Sequence, residues 1–331
     1  MLKTGTMLLQ YIIGEKIGRG TFGEVYNAKD TKTGEIVAIK IEPHTSRKRY
    51  LEHEFKILTQ LQSSLMFPRC GIFGNAPDFR FYSMELLGPS ITQIFKQIPI
   101  ESGIIVMQES LKALEQLHLR GFVHRDIKPG NIITRNKRDT PICIIDFGLT
   151  RQYIDTETGK HFLHEENAGF RGSKAYASVN AHHFCTVSRK DDLISWFYVM
   201  IELLCGKLPW RGVQDHDELI YLKSQFNVKK FTHNVGPELA DIWTSISYLH
   251  FDEKPNYKYI YEKIDEMKKR IGITGEEHHV WENYFADLPN PDDFVDWNGP
   301  IEGAKEVELS PEFICDDEVL DTVLRESSCY I

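Results

Sequence analysis

The apolar residues change their period once along this chain, at Gly88-Pro89, and that change limits the possible folds more than any other feature. Before it, segments near 10–18, 23–29 and 35–41 alternate apolar with polar residues and are separated by turn residues such as Thr33-Gly34, the pattern of half-buried strands. One helical stretch interrupts them, from about Ser46 to Leu61, with Tyr50, Phe55, Leu58 and Leu61 at near-helical spacing. Two further short strands end in Met84-Glu85-Leu86-Leu87-Gly88-Pro89, whose Gly-Pro pair punctuates the chain as a linker. Beyond it the spacing is helical from Ser102 to Leu119 and near 215–225, 236–248 and 257–271, and Leu193 to Leu204 is apolar enough for a buried helix. Phe285 to Pro300, rich in Pro, Asp and Trp, reads as a terminating loop. The expected fold class is α+β and bilobal. A small β-rich lobe with one main helix (about 11–86) leads into a larger α-rich lobe (about 87–297), and a tail follows from 298 to 331.

Charge is unevenly spread. Between Asn298 and Ile331 nine acidic residues stand against Lys305 and Arg325, so this short tail carries most of the net charge of −9. The body is nearly neutral, which disfavours nucleic acid as a partner. No apolar run reaches the roughly 20 residues needed to span a bilayer, and the N-terminal Leu8-Leu9-Gln10-Tyr11-Ile12-Ile13 is too short for a signal peptide, so no membrane partner is expected. The six cysteines are scattered without redox or metal-ligand spacing, which points to an intracellular compartment, cytoplasmic or nuclear, with most of them buried as small apolar residues.

The chemistry concentrates between His124 and Gly148. His124-Arg125-Asp126-Ile127-Lys128-Pro129-Gly130-Asn131 and Asp146-Phe147-Gly148 place a proton acceptor, a cation and two metal-binding side chains within 25 residues. That set suits transfer of a phosphoryl group from a nucleotide to a hydroxyl. Asp126 would orient the hydroxyl and accept its proton, and Lys128 would steady the phosphate. Asn131 and Asp146 would ligate magnesium through oxygen. Upstream, Gly18-Arg19-Gly20-Thr21-Phe22-Gly23 lies between two strand-like segments, where glycines let backbone N–H groups approach phosphates. A dinucleotide-binding turn would have to open a helix, yet Glu24-Val25-Tyr26-Asn27-Ala28 reads as strand. Val37-Ala38-Ile39-Lys40 ends a strand on a lysine, and Glu54 lies 14 residues on, along the expected helix. A lysine held by a carboxylate can grip the α- and β-phosphates of a nucleotide. Glu52 is two residues away and faces another side of that helix.

Taken together these residues resemble a eukaryotic protein kinase, and the likeness runs from about Tyr11 to Trp297. Every position such an enzyme needs is filled, by Gly18, Gly20, Gly23, Lys40, Glu54, Asp126, Asn131 and Asp146. Lys128-Pro129-Gly130 resembles the serine/threonine form of the loop. The resemblance implies ATP and Mg2+ as cofactors and a purine pocket of Ile17, Val25, Ala38, Met84 and Ile133, with backbone groups of Glu85 and Leu87. It also implies that Asp192 braces the catalytic loop.

The ending of the activation segment departs from the kinase norm. Ala177-Ser178-Val179-Asn180-Ala181-His182, Glu85-Leu86-Leu87-Gly88-Pro89-Ser90 and Leu208-Pro209-Trp210 resemble the casein kinase 1 family. Gly169-Phe170-Arg171-Gly172-Ser173 and Asp191-Asp192-Leu193 resemble its tau-tubulin kinase branch. That branch implies protein substrates, acidic or cytoskeletal, and a monomer. Members of the casein kinase 1 family often use an arginine before Tyr-Ala-Ser to bind a phosphorylated or acidic substrate. Ala175 stands there in this chain, so Arg171, Lys174, Arg189 and Lys190 are left to supply the positive charge. Thr150, Tyr153, Thr156 and Thr158 are positioned as activation-loop phosphorylation sites, although the resemblance points to activity without that step. The tail reads as a disordered acidic linker, or as a docking helix carrying Val319, Leu320, Val323 and Leu324, whose removal with residues 299–331 would raise activity. The rival reading is a silent kinase-fold scaffold, which would usually lack the lysine or one of the aspartates. None is lost here.

Overall fold

The computed structural model describes residues 2–309, apart from 21–22, 47–48, 138, 156, 232–234, 276 and 297. Two compact units account for them, one built from 2–88, 146–148 and 283–309, the other from 89–145 and 149–282. The first boundary falls between Gly88 and Pro89, at the change of period. No helix among the described residues is long and apolar enough to cross a membrane.

The first unit is a sheet of strands β1 (Met7–Leu8), β2 (Tyr11–Arg19), β3 (Glu24–Asp30), β4 (Ile36–Pro43), β5 (Cys70–Asn75) and β6 (Phe79–Glu85), in the order β1-β2-β3-β4-β6-β5. Every named pairing among them is antiparallel, with Val25 opposite Lys40 and Ala38 opposite Met84. Leu8, Ile13, Tyr26, Ile39 and Phe81 meet in one buried cluster, each such side chain contributing roughly 1.5–3 kcal/mol by leaving water. The one main helix, α1 (Tyr50–Leu61), buries Leu51, Glu54, Ile57, Leu58 and Leu61 along one face. It starts later than the spacing predicts, because Pro43 ends β4 and the Ser46 N–H turns back to the Pro43 carbonyl. Glu54 is the charged residue on the buried face, which sequence apolarity alone would have placed outside.

The second unit is mostly helical. Helices α2 (Ile91–Ile94), α3 (Ile100–Leu119), α4 (Val179–His182), α5 (Arg189–Cys205), α6 (His216–Ser224), α7 (Glu238–Ser247) and α8 (Tyr257–Ile271) are joined by short strands β7 (Phe122–Val123), β8 (Ile132–Thr134), β9 (Ile142–Ile144) and β10 (Arg151–Gln152). The strands pair as two hairpin-like ladders, β7 with β10 and β8 with β9. At the centre, the Trp196 indole of α5 donates to Ser110 Oγ of α3 at 3.0 Å. Helix α5 begins a full turn before the apolar run. Ser188 N donates to Asp191 at 2.7 Å in a capping box, so the polar Arg189-Lys190-Asp191-Asp192 forms the first turn with both aspartates buried. Helix α8 is capped by Asn256, which accepts from Tyr259 N, and stops at Gly272 after Lys268-Lys269-Arg270.

Residues 283–309, expected as a closing loop and the start of an acidic linker, belong to the β-rich unit. Strand β11 (Lys305–Glu306) extends the sheet beyond β5, and Val307 N donates to Phe73 O. A few residues earlier, Pro300 bridges Met7 of β1, while Met7 N donates to Gly299 O and Ile301 N donates to Met7 O. One segment of the chain therefore joins both ends of the sheet, and Ile301 and Ala304 pack on its core. The acidic side chains hid this, because strand pairing uses the backbone. The docking helix read from Val319 to Leu324 lies outside the described residues, as do Thr156 and Trp297. Of the described cysteines only Cys143 is buried, and Cys70, Cys185 and Cys205 are half-buried, fewer in the core than expected.

Candidate active site

In the β-rich unit, β4 and α1 bring Lys40 and Glu54 together, with Lys40 Nζ donating to Glu54 Oε2 at 2.5 Å. Asp146 Oδ1 lies 3.9 Å from the same ammonium. Burial opposes charge on Lys40, but the two carboxylates outweigh it and raise its pKa. Burial also works to raise the Glu54 pKa, opposed by the Lys40 ammonium and the Tyr82 hydroxyl. Glu52 faces outward with Arg49 and Lys56, as its position on the helix predicts. Asp146 itself has φ 69°, a backbone conformation that costs a non-glycine residue energy and is common at functional sites.

Of the three glycines in the first turn, Gly23 is required by packing, since a Cβ there would lie 1.9 Å from the Ile41 carbonyl oxygen. Gly18 and Gly20 meet nothing closer than ordinary contact distance, so protein packing does not explain them. Gly20 N closes the turn onto Gly23 O at 2.8 Å. Ile17 is 46% exposed beside it. Val25 and Ala38 lie on neighbouring strands, Ala38 buried against its partner Met84 in the ladder. The Glu85 N–H is committed to Arg69 O, so a purine contact from that residue would fall to its carbonyl. For Leu87 the strand has already ended.

In the α-rich unit, the catalytic loop folds around Asp126. Lys128 Nζ lies 2.5 Å from Asp126 Oδ2, and Asn131 Nδ2 donates to the Asp126 carbonyl at 2.9 Å. That bond turns the Asn131 amide oxygen away from Asp126. The other oxygen, Oδ1, accepts from Ser173 Oγ at 2.8 Å, a partner the sequence did not single out. Gly172 permits the approach. Its φ is +91°, and a Cβ would stand 2.4 Å from the Arg125 carbonyl oxygen. Asp192 braces the loop from α5, accepting from His124 N at 2.6 Å, Arg125 N at 2.8 Å and His118 Nε2 at 3.0 Å. Burial pushes the Asp192 pKa up, but these partners overcome it and lower it. Ile133, expected in the purine pocket, is buried in β8.

Of the four cations read as one anion patch, Arg189 and Lys190 bind separate backbone carbonyls. Arg189 donates to Asp252 O and stands over the Tyr153 ring, and Lys190 donates to Leu249 O. Lys174 is exposed, and its carbonyl accepts from Lys223 Nζ at 2.7 Å. Arg171 instead lines a small pocket with Arg125 and Arg151. Sequence gives no sign of this grouping, since backbone carbonyls are available to any cation. Two of the candidate phosphorylation sites are buried. Thr150 is 1% exposed, and Tyr153 is buried with its hydroxyl donating to His118 O, while Thr158 is exposed.

No group of three or more His, Cys, Asp or Glu that could hold a metal ion occurs among the described residues. Asp146 in one unit and Asn131 in the other each carry a side-chain oxygen of the kind magnesium takes, a hard cation that draws its remaining ligands from phosphates and water.

A lysine–carboxylate pair beside a strained aspartate thus stands in the β-rich unit, and an aspartate held between a lysine and a serine stands in the α-rich unit. The family described as Protein kinase domain matches residues 11–281, and the chain belongs to it.

Proposed function

We propose that this protein is an active serine/threonine kinase that transfers the γ-phosphate of ATP to protein hydroxyls. The observation that carries the reading is the setting of Asp126, with Lys128 on one carboxylate oxygen and Ser173 on the other. The carboxylate accepts the proton of the incoming serine or threonine hydroxyl as its oxygen bonds to the γ-phosphorus. The bond from that phosphorus to the β–γ bridging oxygen breaks, and ADP leaves. Lys128 would donate to the phosphoryl oxygens, and Lys40, fixed by Glu54, would orient the α- and β-phosphates. Asn131 and Asp146 would each offer an oxygen ligand to magnesium, which when bound offsets the negative charge of the phosphates. Val25, Ala38 and Met84 would offer apolar surface to the purine from the β-rich unit, and Ile133 would do so from the α-rich unit.

The activation-segment motifs support placement in the casein kinase 1 family, near its tau-tubulin kinase branch. An acidic substrate preference is supported by Arg125, Arg151 and Arg171, which line one pocket, Arg125 being the residue directly before Asp126. The test is transfer of labelled phosphate from ATP to casein and to serine, threonine and tyrosine peptides. Labelling of serine or threonine is expected, and labelling confined to tyrosine would overturn the specificity.

A further inference from the structure

A pocket of about 390 Å³ lies in the α-rich unit, lined by Gln93, Lys96, Pro129, Tyr176, Glu202 and Arg211 among others. Two of its walls lead to the catalytic aspartate. Pro129 follows Lys128 directly, and Tyr176 lies three residues after Ser173, whose hydroxyl binds Asp126. A peptide presenting its hydroxyl to Asp126 would pass this opening.

Glu202 is the one acidic residue in that lining, with a side chain only 5% exposed. A buried carboxylate at a substrate-facing opening would by itself draw in a lysine or arginine side chain, since an unpaired buried charge is costly. Here both oxygens are already taken. Arg211 Nε stands 3.0 Å from Oε1, and the Tyr176 hydroxyl donates to Oε2 at 2.7 Å. The Arg211 side chain is 52% exposed and stacks 5.6 Å from the Tyr176 ring, so it covers the carboxylate from the solvent side. What remains for a peptide is the outer edge of that guanidinium and the exposed Lys96, which has no carboxylate partner among the described residues.

We propose that this pocket is a side-chain subsite for the protein substrate, selecting an acidic residue and rejecting a basic one, with Arg211 and Lys96 as the determinants. The inference rests on the kinase reading above and concerns a different group of cations from the three arginines named there. Arg211 acts in two ways, by filling the place a basic side chain would take and by presenting a cation in its stead.

The experiment measures kcat/KM on serine peptides in which each neighbouring position carries Glu, Ala or Arg in turn. The wild type should favour Glu over Arg at one position by roughly tenfold, the worth of about one charged hydrogen bond. Arg211→Ala bares Glu202 and should invert that order at the same position, whereas Arg211→Lys should keep it. Lys96→Glu, at an exposed site that does not endanger folding, should reduce the Glu preference to near parity. Each readout is a ratio between peptides on one enzyme, so a general loss of activity cancels. Unmoved rankings in Arg211→Ala or Lys96→Glu overturn the proposal while leaving the kinase reading intact. A wild type that phosphorylates no peptide overturns both.

Discussion

Ser173 Oγ donates to Asp126 Oδ1 at 2.8 Å, across 47 residues of sequence. The bond fixes one oxygen of the proposed base while Lys128 fixes the other, so the carboxylate cannot rotate away from an approaching hydroxyl. Gly172 makes the contact possible by letting the chain pass against the Arg125 carbonyl.

Removing that hydroxyl tests the contact. Ser173→Ala should lower kcat roughly tenfold, about one hydrogen bond's worth of positioning, with little change in KM for ATP. Ser173→Thr keeps the donor and should restore most of the rate. Steady-state kinetics on one peptide separates these outcomes, and equal kcat in the alanine variant would refute the positioning role.

Glu54→Gln removes the carboxylate that pairs with the Lys40 ammonium and leaves Asp146 3.9 Å away. Breaking a buried pair from one side should cost about 3 kcal/mol in urea denaturation. Phosphate transfer should fall roughly a hundredfold, because the lysine is no longer held in place. Stability equal to wild type would contradict the account of this pair.

Lys223 gives a pH signature. It is 3% exposed and donates to Lys174 O and Ala177 O beneath the substrate-facing segment. Burial pulls its amine down from 10.5 to about 7. The unfolded chain therefore binds the extra proton more readily between those values. The cost of burying this group is complete below about pH 7 and is relieved as pH rises towards 10.5, a gain of at most about 1.4 kcal/mol per pH unit. Lys223→Met should lack this gain, so its stability relative to wild type should fall as pH rises from 7 to 9. Parallel curves for the two proteins would show that Lys223 does not titrate there.

The segment joining the two ends of the sheet predicts the opposite of the autoinhibition its acidity suggests. A chain ending at 297 loses the bonds at Gly299, Ile301 and Val307 and the packing of Ile301 and Ala304. It should be less stable by about 3 kcal/mol or more and less active. A chain ending at 309 keeps all of these contacts. Higher activity in the shorter protein would contradict the closure of the sheet by this segment.

What could be foreseen divides along physical lines. The pairing of Lys40 with Glu54 and the gathering of Lys128 and Asn131 about Asp126 were legible because that chemistry demands particular side chains at particular spacings. The change of period at Gly88-Pro89 was legible because burial dictates it. Ser173 was not, because a serine among other loop polar residues carries no spacing signal. The bonds of Arg189 and Lys190 to the carbonyls of Asp252 and Leu249 were not legible, because a sequence does not display backbone acceptors. Residues 299–307 misled because their acidic side chains read as solvated, while their backbone joins the sheet.

The central claim is that Asp126 and Asp146 belong to a working phosphotransferase. Its most direct test is transfer of the labelled γ-phosphate of ATP to casein by the wild type, Asp126→Asn and Asp146→Asn, each confirmed folded by its melting curve. The account predicts transfer by the wild type and a loss of roughly a thousandfold or more in both variants. Equal incorporation by all three proteins would contradict it.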